Sequence, residues 1–260
     1  MNLKMNGFQL KVLGVLTMVI DHIAEFFSFL GIPIWFHWIG RITAPIFLFE
    51  SAEGFTYTSN RKKYMFRLLL GFWIMQVVIS FLNSFFTVGN ELIINNIFGT
   101  LFLGTVYMQS IYYIKQGKGF IFKGISLFTL TTLVSFVPLV LMERIDNNNF
   151  FFLIFKVFNF IIPTLFLTEG GILFVLLPVL FYVFHGNKLL QVLSILTVAI
   201  ISTGFNFQNL FSDNYQWMMI TSIVPIVLYN GEKGKSMRNF FYIFYPTHIA
   251  VFALVSFFAH

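Results

Sequence analysis

Apolar stretches of about 18 or more residues recur along the whole 260-residue chain, and this feature constrains the fold most strongly. A bilayer offers no water to backbone N–H and C=O groups, so a segment of that length crosses it as a helix. The composition agrees, since 58% of the residues are hydrophobic, 10% are charged and the mean hydropathy is +0.83. The sequence therefore predicts an all-α, polytopic integral membrane bundle that forms a single domain over residues 1–260.

The apolar segments predict about nine transmembrane helices, within a range of eight to ten. They lie at residues 8–30, 34–57, 64–84, 91–114, 120–142, 170–184, 188–205, 215–230 and 239–258. The segment 143–168 is ambiguous, because it has apolar runs but also carries Arg144, Asp146, Lys156 and Pro163. It is either a tenth span or a segment that lies in the interface.

The distribution of basic residues decides between these topologies. With a cytoplasmic N-terminus and no crossing by 143–168, all sixteen Lys and Arg residues except Arg41, Arg144 and Lys156 lie on the cytoplasmic side. A crossing would move Lys188 and the basic residues near 233–238 outward. We therefore predict nine spans in a bacterial-type cytoplasmic membrane, with 143–168 re-entrant or interfacial.

The net charge of +6 reflects cytoplasmic loops and predicts no nucleic-acid partner. The absence of cysteine excludes disulfides and a cysteine nucleophile.

Ionisable residues occur inside the first two apolar segments, where they are costly and usually mark a functional site. Asp21 and His22 lie in the first segment and Arg41 in the second. Asp21 is ten residues before Gly31 and Arg41 is ten residues after it, so a helical hairpin that turns at Gly31 brings both to a similar depth. We predict that Asp21 pairs with Arg41, which leaves His22 to act as a general base. A purely structural Asp21–Arg41 ion pair stays open as an alternative.

Further polar residues extend this pattern. Glu25 and His37 lie six residues on either side of Gly31 and are predicted to pair with each other. A basic cluster follows the second apolar segment, near the predicted cytoplasmic mouth, and Glu53 lies beside it. The cluster consists of Arg61, Lys62, Lys63 and Arg67. Such residues can hold the phosphates of a cytosolic cofactor, or they can simply set the topology. The sequence contains no recognisable metal-ligand pattern or nucleotide fingerprint, so no metal site is predicted.

Several of these runs resemble the TraX family, at both ends of the chain. They are residues 16–23 (LTMVIDHI), 39–47 (IGRITAPIF), 53–58 (EGFTYT), 60–64 (NRKKY), 228–231 (LYNG) and 241–248 (FYIFYPTH). The resemblance implies an integral membrane acetyltransferase that takes acetyl from cytosolic acetyl-CoA. The implied acceptor is a pilin-like N-terminus or a cell-surface glycan or polymer, so the product is an amide or an ester.

The chain also resembles the wider group of transmembrane acyltransferases. That resemblance implies that His22 is the catalytic base, and it maps a tyrosine-to-histidine motif of the last helix onto Tyr245 and His248. The wider group often has a richer arginine motif in its early helices, whereas this chain has one intramembrane arginine, Arg41.

The combined prediction assigns a role to each candidate residue. His22 is the base, Asp21 its orienting or charge-balancing partner, and Arg41 the group that stabilises the developing oxyanion or the thioester carbonyl. His248 is a second acid/base or orients the acceptor. The basic cluster binds the phosphates of acetyl-CoA, while Glu25, His37, Glu53 and Tyr245 bind substrate or support the site. Two alternatives stay open: a small-solute or proton-coupled transporter, and a non-catalytic assembly factor for a surface structure. The sequence does not predict an oligomeric state.

Overall fold

The computed structural model describes residues 4–86, 92–145, 149–236 and 238–259, and most of these residues are helical. Within the described ranges, an isolated parallel bridge between Met5 and Tyr229 is the only β-pairing. The prediction of an all-α fold is therefore confirmed.

Eleven α-helices and two 3₁₀ segments make up the described part of the chain. In order, they are α1 (Gly7–Phe26), a 3₁₀ turn (Ser28–Leu30), α2 (Trp35–Gly40), α3 (Thr43–Tyr57), α4 (Arg61–Phe85), α5 (Ile97–Lys115), α6 (Lys118–Met142), α7 (Asn149–Ile161), α8 (Gly171–Val183), α9 (Lys188–Ser202), a 3₁₀ segment (Tyr215–Ser222), α10 (Ile223–Leu228) and α11 (Arg238–Ala259).

Within the described ranges, five helices are long and apolar enough to cross a membrane: α1, α4, α5, α6 and most of α11. Shorter apolar helices form at Asn149–Ile161, Gly171–Val183, Lys188–Ser202 and Tyr215–Leu228. The chain is thus a multi-pass membrane protein, while the count of nine spans and the cytoplasmic N-terminus stay predictions. Residues 146–148 of the ambiguous segment lie outside the described ranges, and α7 occupies much of the remainder.

The helices form two compact units. The first contains Met1–Ser51, Val78–Ile93 and Val183–His260, and the second contains Ala52–Val77 and Ile94–Tyr182. The single domain over 1–260 stays a prediction. In the first unit, α1 contacts both α2 and α11. The hydroxyl of Ser256 on α11 donates to the carbonyl oxygen of Phe26 at the end of α1, at 2.6 Å.

The start of α1 is fixed by a reciprocal cap. The Asn6 side chain accepts a hydrogen bond from the Gln9 amide at 3.0 Å, and the Gln9 side chain accepts one from the Asn6 amide at 2.9 Å. Such a capping box satisfies two backbone donors that a helix start leaves unpaired. One turn later, Lys11 forms an ion pair with the buried carboxylate of Glu50.

The hairpin between α1 and α2 turns where the sequence predicts it. Gly31 has φ +70°, a left-handed conformation that costs glycine little. The predicted span 34–57, however, is broken into α2 and α3. Pro45 lacks an amide hydrogen for the carbonyl of Arg41, and its ring crowds that carbonyl, so a break in the helix is favoured at this point. Arg41 therefore lies at the break, just after the end of α2.

Candidate functional site

Two neighbouring residues of α1, Asp21 and His22, belong to two different clusters of the first unit. Successive residues on an α-helix project about 100° apart, so the two side chains cannot share one direction. Asp21 contacts residues of α2 and the residue that follows it, whereas His22 contacts α11. The site therefore has a histidine pair on one face of α1 and an ionic cluster on a neighbouring face.

The histidine pair consists of His22 and His248, whose rings are joined by a hydrogen bond. Nδ1 of His22 lies 2.7 Å from Nε2 of His248. The ring planes differ by 20° and the ring centroids are 4.9 Å apart, so the two rings lie nearly edge to edge in one plane. Both residues are buried, with 5% and 6% of their surface exposed. The sequence places these residues in the candidate site, and the structure brings them into direct contact.

A backbone carbonyl fixes the direction of hydrogen bonding in this pair. Nδ1 of His248 lies 2.9 Å from the carbonyl oxygen of Phe244, which can only accept, so His248 donates from Nδ1. A neutral His248 then carries no proton on Nε2, which accepts from Nδ1–H of His22. In the neutral pair, the proton-accepting lone pair of His22 is consequently on Nε2. A nitrogen with that lone pair is what a general base requires.

Aromatic residues of α11 hold the His248 ring in place. The ring of Phe244 lies 5.0 Å away and nearly parallel, at 10°. The rings of Tyr245 and Phe252 approach more steeply, at 5.4 Å and 5.9 Å. Tyr245 is buried and thus supports the pair by packing. The proline of the Tyr245-Pro246-Thr247-His248 motif lies inside this helix.

Glu25 faces the other nitrogen of His22. Its Oε2 is 3.8 Å from Nε2 of His22, and its side chain is 40% exposed. The predicted pair between Glu25 and His37 is wrong, because Glu25 lies three residues after His22 and projects to the same side of α1. His37 instead bonds to Asp21.

The ionic cluster centres on Asp21. Arg41 donates from Nη2 to Oδ2 of Asp21, and Nδ1 of His37 lies 3.0 Å from Oδ1. The predicted Asp21–Arg41 pair is therefore present. Arg41 also donates from Nη1 to the side-chain oxygen of Gln216 at 2.9 Å and from Nε to the carbonyl of His37 at 3.3 Å. These bonds join α1, α2 and the 3₁₀ segment at Tyr215–Ser222.

The sequence did not identify Gln216 and Tyr215 as part of this cluster. The Tyr215 ring lies 5.4 Å from the His37 ring at 17°, and its centroid is 5.5 Å from the Arg41 guanidinium carbon. A glutamine at the start of the predicted span 215–230 is the signal that could have drawn attention to this segment, because polar side chains inside a membrane seek partners. The segment contacts α2, although about 175 residues separate Gln216 from Arg41.

The position of Asp21 changes the role predicted for it. The bonding partner of the His22 ring is His248, whereas Asp21 bonds to Arg41 and His37. His248 therefore supplies the orienting contact that the sequence assigns to Asp21. The charge-balancing part of that prediction is compatible with the Asp21–Arg41 pair.

Gly40 is the position where the ionic cluster tolerates no side chain. A Cβ at Gly40 would overlap the carboxyl group of Asp21. We expect Gly40→Ala to displace Asp21 from Arg41, and thereby to lower the melting temperature in detergent and the activity. The matched control is Gly119→Ala on α6, where a Cβ would meet nothing within 4 Å and alanine favours the helix. Equal melting temperatures for the two variants would contradict the packing described.

The basic cluster belongs to the second unit, at the start of α4. Asn60 caps this helix by accepting from the amide of Lys63 at 2.9 Å. The guanidinium carbon of Arg61 lies 3.7 Å from the centroid of the Tyr112 ring, while Lys62 and Lys63 are exposed. Arg67 donates from Nε to the carbonyl of Lys63 at 3.2 Å. Exposed cations at a helix N-terminus, where backbone N–H groups also point outward, make a favourable place for a phosphate.

Glu53 lies on α3 in the same unit and is buried, with 8% of its surface exposed. It is followed by Gly54, where a Cβ would come within 3.1 Å of the Tyr64 hydroxyl, so α3 and α4 approach closely here. The burial of Glu53 at this close approach fits a residue of structural support.

Comparisons with known proteins agree with the pattern of residues at both ends of the chain. A family model described as TraX protein matches residues 6–256. A relative described as "Probable fimbrial assembly protein FimC, serogroup H1", from Dichelobacter nodosus, is 25% identical over 269 residues, which cover 96% of this chain and 95% of the relative. No solved structure matches the chain. The resemblance drawn from the sequence is thus confirmed, and the chain belongs to the TraX family.

Proposed function

We propose that this protein is an acetyltransferase of the bacterial cytoplasmic membrane, which transfers acetyl from acetyl-CoA to the N-terminal amine of a pilin-like protein. The observation that carries the proposal is the buried His22–His248 pair, which leaves a lone pair on Nε2 of His22. The TraX family match supports the activity, and the name of the fimbrial assembly relative supports an acceptor that belongs to a surface fibre. A hydroxyl of a surface glycan or polymer is the alternative acceptor.

In this proposal, Nε2 of His22 takes a proton from the acceptor nitrogen as that nitrogen attacks the thioester carbonyl. A C–N bond forms, the C–S bond breaks, and the imidazolium of His22 returns the proton to the leaving thiolate of CoA. His248 and the carbonyl of Phe244 hold His22 in the tautomer that this step needs. An orienting group of this kind is a recurrent companion of a catalytic histidine.

Arg41 and Asp21 support the reaction from the ionic cluster. The guanidinium of Arg41 supplies positive charge for the developing oxyanion, from a position held by Asp21 and Gln216. Its Nη1, Nη2 and Nε groups already donate to protein oxygens, so we assign Arg41 an electrostatic role through its charge. His37 keeps the cluster together by bonding to Asp21.

Nine spans and a cytoplasmic N-terminus are part of the proposal, because they place the basic cluster on the side where acetyl-CoA is made. Arg61, Lys62, Lys63 and Arg67 then bind the phosphates of acetyl-CoA. Charge-assisted bonds from such side chains to phosphate are among the stronger polar contacts in proteins. Within the cluster, Lys62 and Lys63 are the most exposed, whereas Arg61 also packs on aromatic rings.

Calorimetry of acetyl-CoA binding to the detergent-purified protein tests the donor site. We expect Lys62→Ala/Lys63→Ala to weaken binding more than about tenfold, because each lost charge-assisted bond is worth about 1.5–3 kcal/mol. This double variant leaves Arg61, and therefore its packing on Tyr112, intact.

The matched control for that experiment is Lys233→Ala/Lys235→Ala, which removes the same charge from two exposed lysines of the first unit. We expect this control to bind acetyl-CoA as the wild type does. Equal weakening in both double variants would show a general charge effect and contradict a phosphate site at the start of α4.

A non-catalytic assembly factor is the second candidate, because the relative's name refers to assembly. Such a factor has no need of acetyl-CoA. Thermal stabilisation of the folded wild type by acetyl-CoA therefore separates the two, since a ligand that binds only the native state raises its stability by an amount that grows with the ligand concentration relative to Kd. Full stability without any response to acetyl-CoA would favour the assembly factor.

A further inference from the structure

Glu25 places a carboxylate beside the nitrogen of His22 that carries the lone pair. Oε2 of Glu25 lies 3.8 Å from Nε2 of His22, and the two residues are three positions apart on α1. The Glu25 side chain is 40% exposed, whereas the His22 side chain is 7% exposed. The Glu25 carboxylate is therefore the more accessible of the two groups, and another molecule can approach the pair from its side.

The separation of the two atoms fits a shared donor. It exceeds the length of a direct N–H···O hydrogen bond, which is about 2.7–3.2 Å. It is also short enough for one bound atom to lie within hydrogen-bond distance of both Oε2 and Nε2. That atom must donate two hydrogens, one to each acceptor. A water oxygen and an amine or ammonium nitrogen have them, so between the two candidate acceptors an amine fits, while the hydroxyl oxygen of an alcohol has only one.

The charges around the site also favour an amine as the acceptor. Asp21 is countered by Arg41, so the ionic cluster holds one acidic and one basic side chain in direct contact. Glu25 adds a further negative charge on the same helix, one turn from His22. An N-terminal amine has a pKa of about 7.7–8.0 and arrives at neutral pH mainly as a cation. A carboxylate next to the base therefore favours the protonated amine over a neutral alcohol.

We propose that Glu25 is the residue that selects an amine acceptor, by binding its ammonium form against Nε2 of His22. This inference rests on the proposed acetyltransferase function. Glu25 takes one proton from the ammonium and passes it to water. The neutral amine then attacks the thioester carbonyl, and Nε2 of His22 takes a second proton from the nitrogen. The C–N bond forms, the C–S bond breaks, and His22 gives that proton to the CoA thiolate.

A pair of small acceptors that differ in one group tests the inference. Alaninamide carries the amine, and lactamide carries a hydroxyl in its place. With purified wild type and saturating acetyl-CoA, we expect alaninamide to be acetylated with a kcat/KM at least about tenfold above that of lactamide. The KM for alaninamide should rise as the pH passes above the amine pKa, because the ammonium is the form that Glu25 binds.

Variants at Glu25 separate this role from a structural one. Glu25→Gln keeps the shape of the side chain but removes its charge, so it should lower kcat/KM for alaninamide at least about tenfold and abolish the rise of KM with pH. Glu25→Asp keeps the charge and should restore that pH dependence. Glu143→Gln, at an exposed glutamate of the second unit, removes the same charge elsewhere and should behave as wild type.

Several results would overturn the assignment. They are equal kcat/KM for the two acceptors, an unchanged pH dependence in Glu25→Gln, and no acetylation of alaninamide by a wild type that binds acetyl-CoA. Failure of the folded wild type to bind acetyl-CoA would instead contradict the proposed function itself. The two failures are therefore distinguishable in the same set of samples.

Discussion

Replacing His22 with alanine is expected to lower the rate of acetyl transfer by about a hundred- to ten-thousand-fold, the range that general acid–base catalysis contributes. The substitution removes the nitrogen that accepts the proton, and it also removes the partner of His248. The measurement is the initial rate of acetyl transfer from acetyl-CoA by purified protein, under conditions where the donor is saturating. The variant should still bind acetyl-CoA, because the basic cluster is untouched.

The matched control for this prediction is His185→Ala. His185 is exposed, in the loop between α8 and α9, so its loss should leave the rate unchanged. Full activity of a correctly folded His22→Ala protein would exclude His22 as the base. A drop of similar size in His185→Ala would indicate a general effect of losing a histidine.

Breaking the ionic cluster should produce the largest loss of stability. We expect Asp21→Ala to lower the free energy of unfolding in detergent by about 2–3 kcal/mol, because it leaves Arg41 and His37 without the carboxylate that both contact. Fully buried pairs lose about 3–5 kcal/mol in this way. The Asp21 side chain is 14% exposed and that of Arg41 is 23% exposed, so solvent screening reduces the loss.

A double-mutant cycle measures the interaction energy between Asp21 and Arg41. The loss in Asp21→Ala/Arg41→Ala should be smaller than the sum of the two single losses by about 1 kcal/mol or more, since contacting residues couple. Asp213→Ala is the control, because Asp213 is exposed and its removal should change stability by less than about 0.5 kcal/mol. Additive losses would contradict an energetic coupling between Asp21 and Arg41.

The Asp21–Arg41 pair could be predicted because the turn at Gly31 sets the position of both residues along the two arms of the hairpin. The distance from Gly31 gives their depth along each arm of the hairpin, and the helical rise converts residue number into depth. The all-α fold was predictable for a related reason, since long apolar segments allow only helices in a bilayer. In both cases a property local to the segment determines the structure.

The Glu25–His37 prediction failed because depth alone does not give the direction in which a side chain projects from its helix. Glu25 and His37 lie at matched depths by residue number, yet Glu25 projects toward His22 and His37 toward Asp21. Pro45 favours the break between α2 and α3, because its ring crowds the carbonyl of Arg41. A proline alone does not predict such a break, since α6, α8 and α11 each continue through one.

Contacts between segments that are far apart in the sequence could not be predicted from it. The hydrogen bond between His22 and His248 joins residues 226 positions apart, and nothing local to either segment indicates that the two side chains touch. The same holds for Arg61, whose contact with Tyr112 depends on how α4 packs against α5. Such contacts follow from the rotation and neighbours of each helix, which packing of the whole unit decides.

Acetyl transfer by the purified wild-type protein is the measurement that tests the central claim most directly. The protein is incubated with acetyl-CoA and a synthetic peptide with a free N-terminus, and the peptide and free CoA are quantified by mass spectrometry. We predict equal amounts of N-terminally acetylated peptide and released CoA, both lost in His22→Ala and both retained in His185→Ala. A folded protein that binds acetyl-CoA and peptide but forms no acetylated product would contradict the claim.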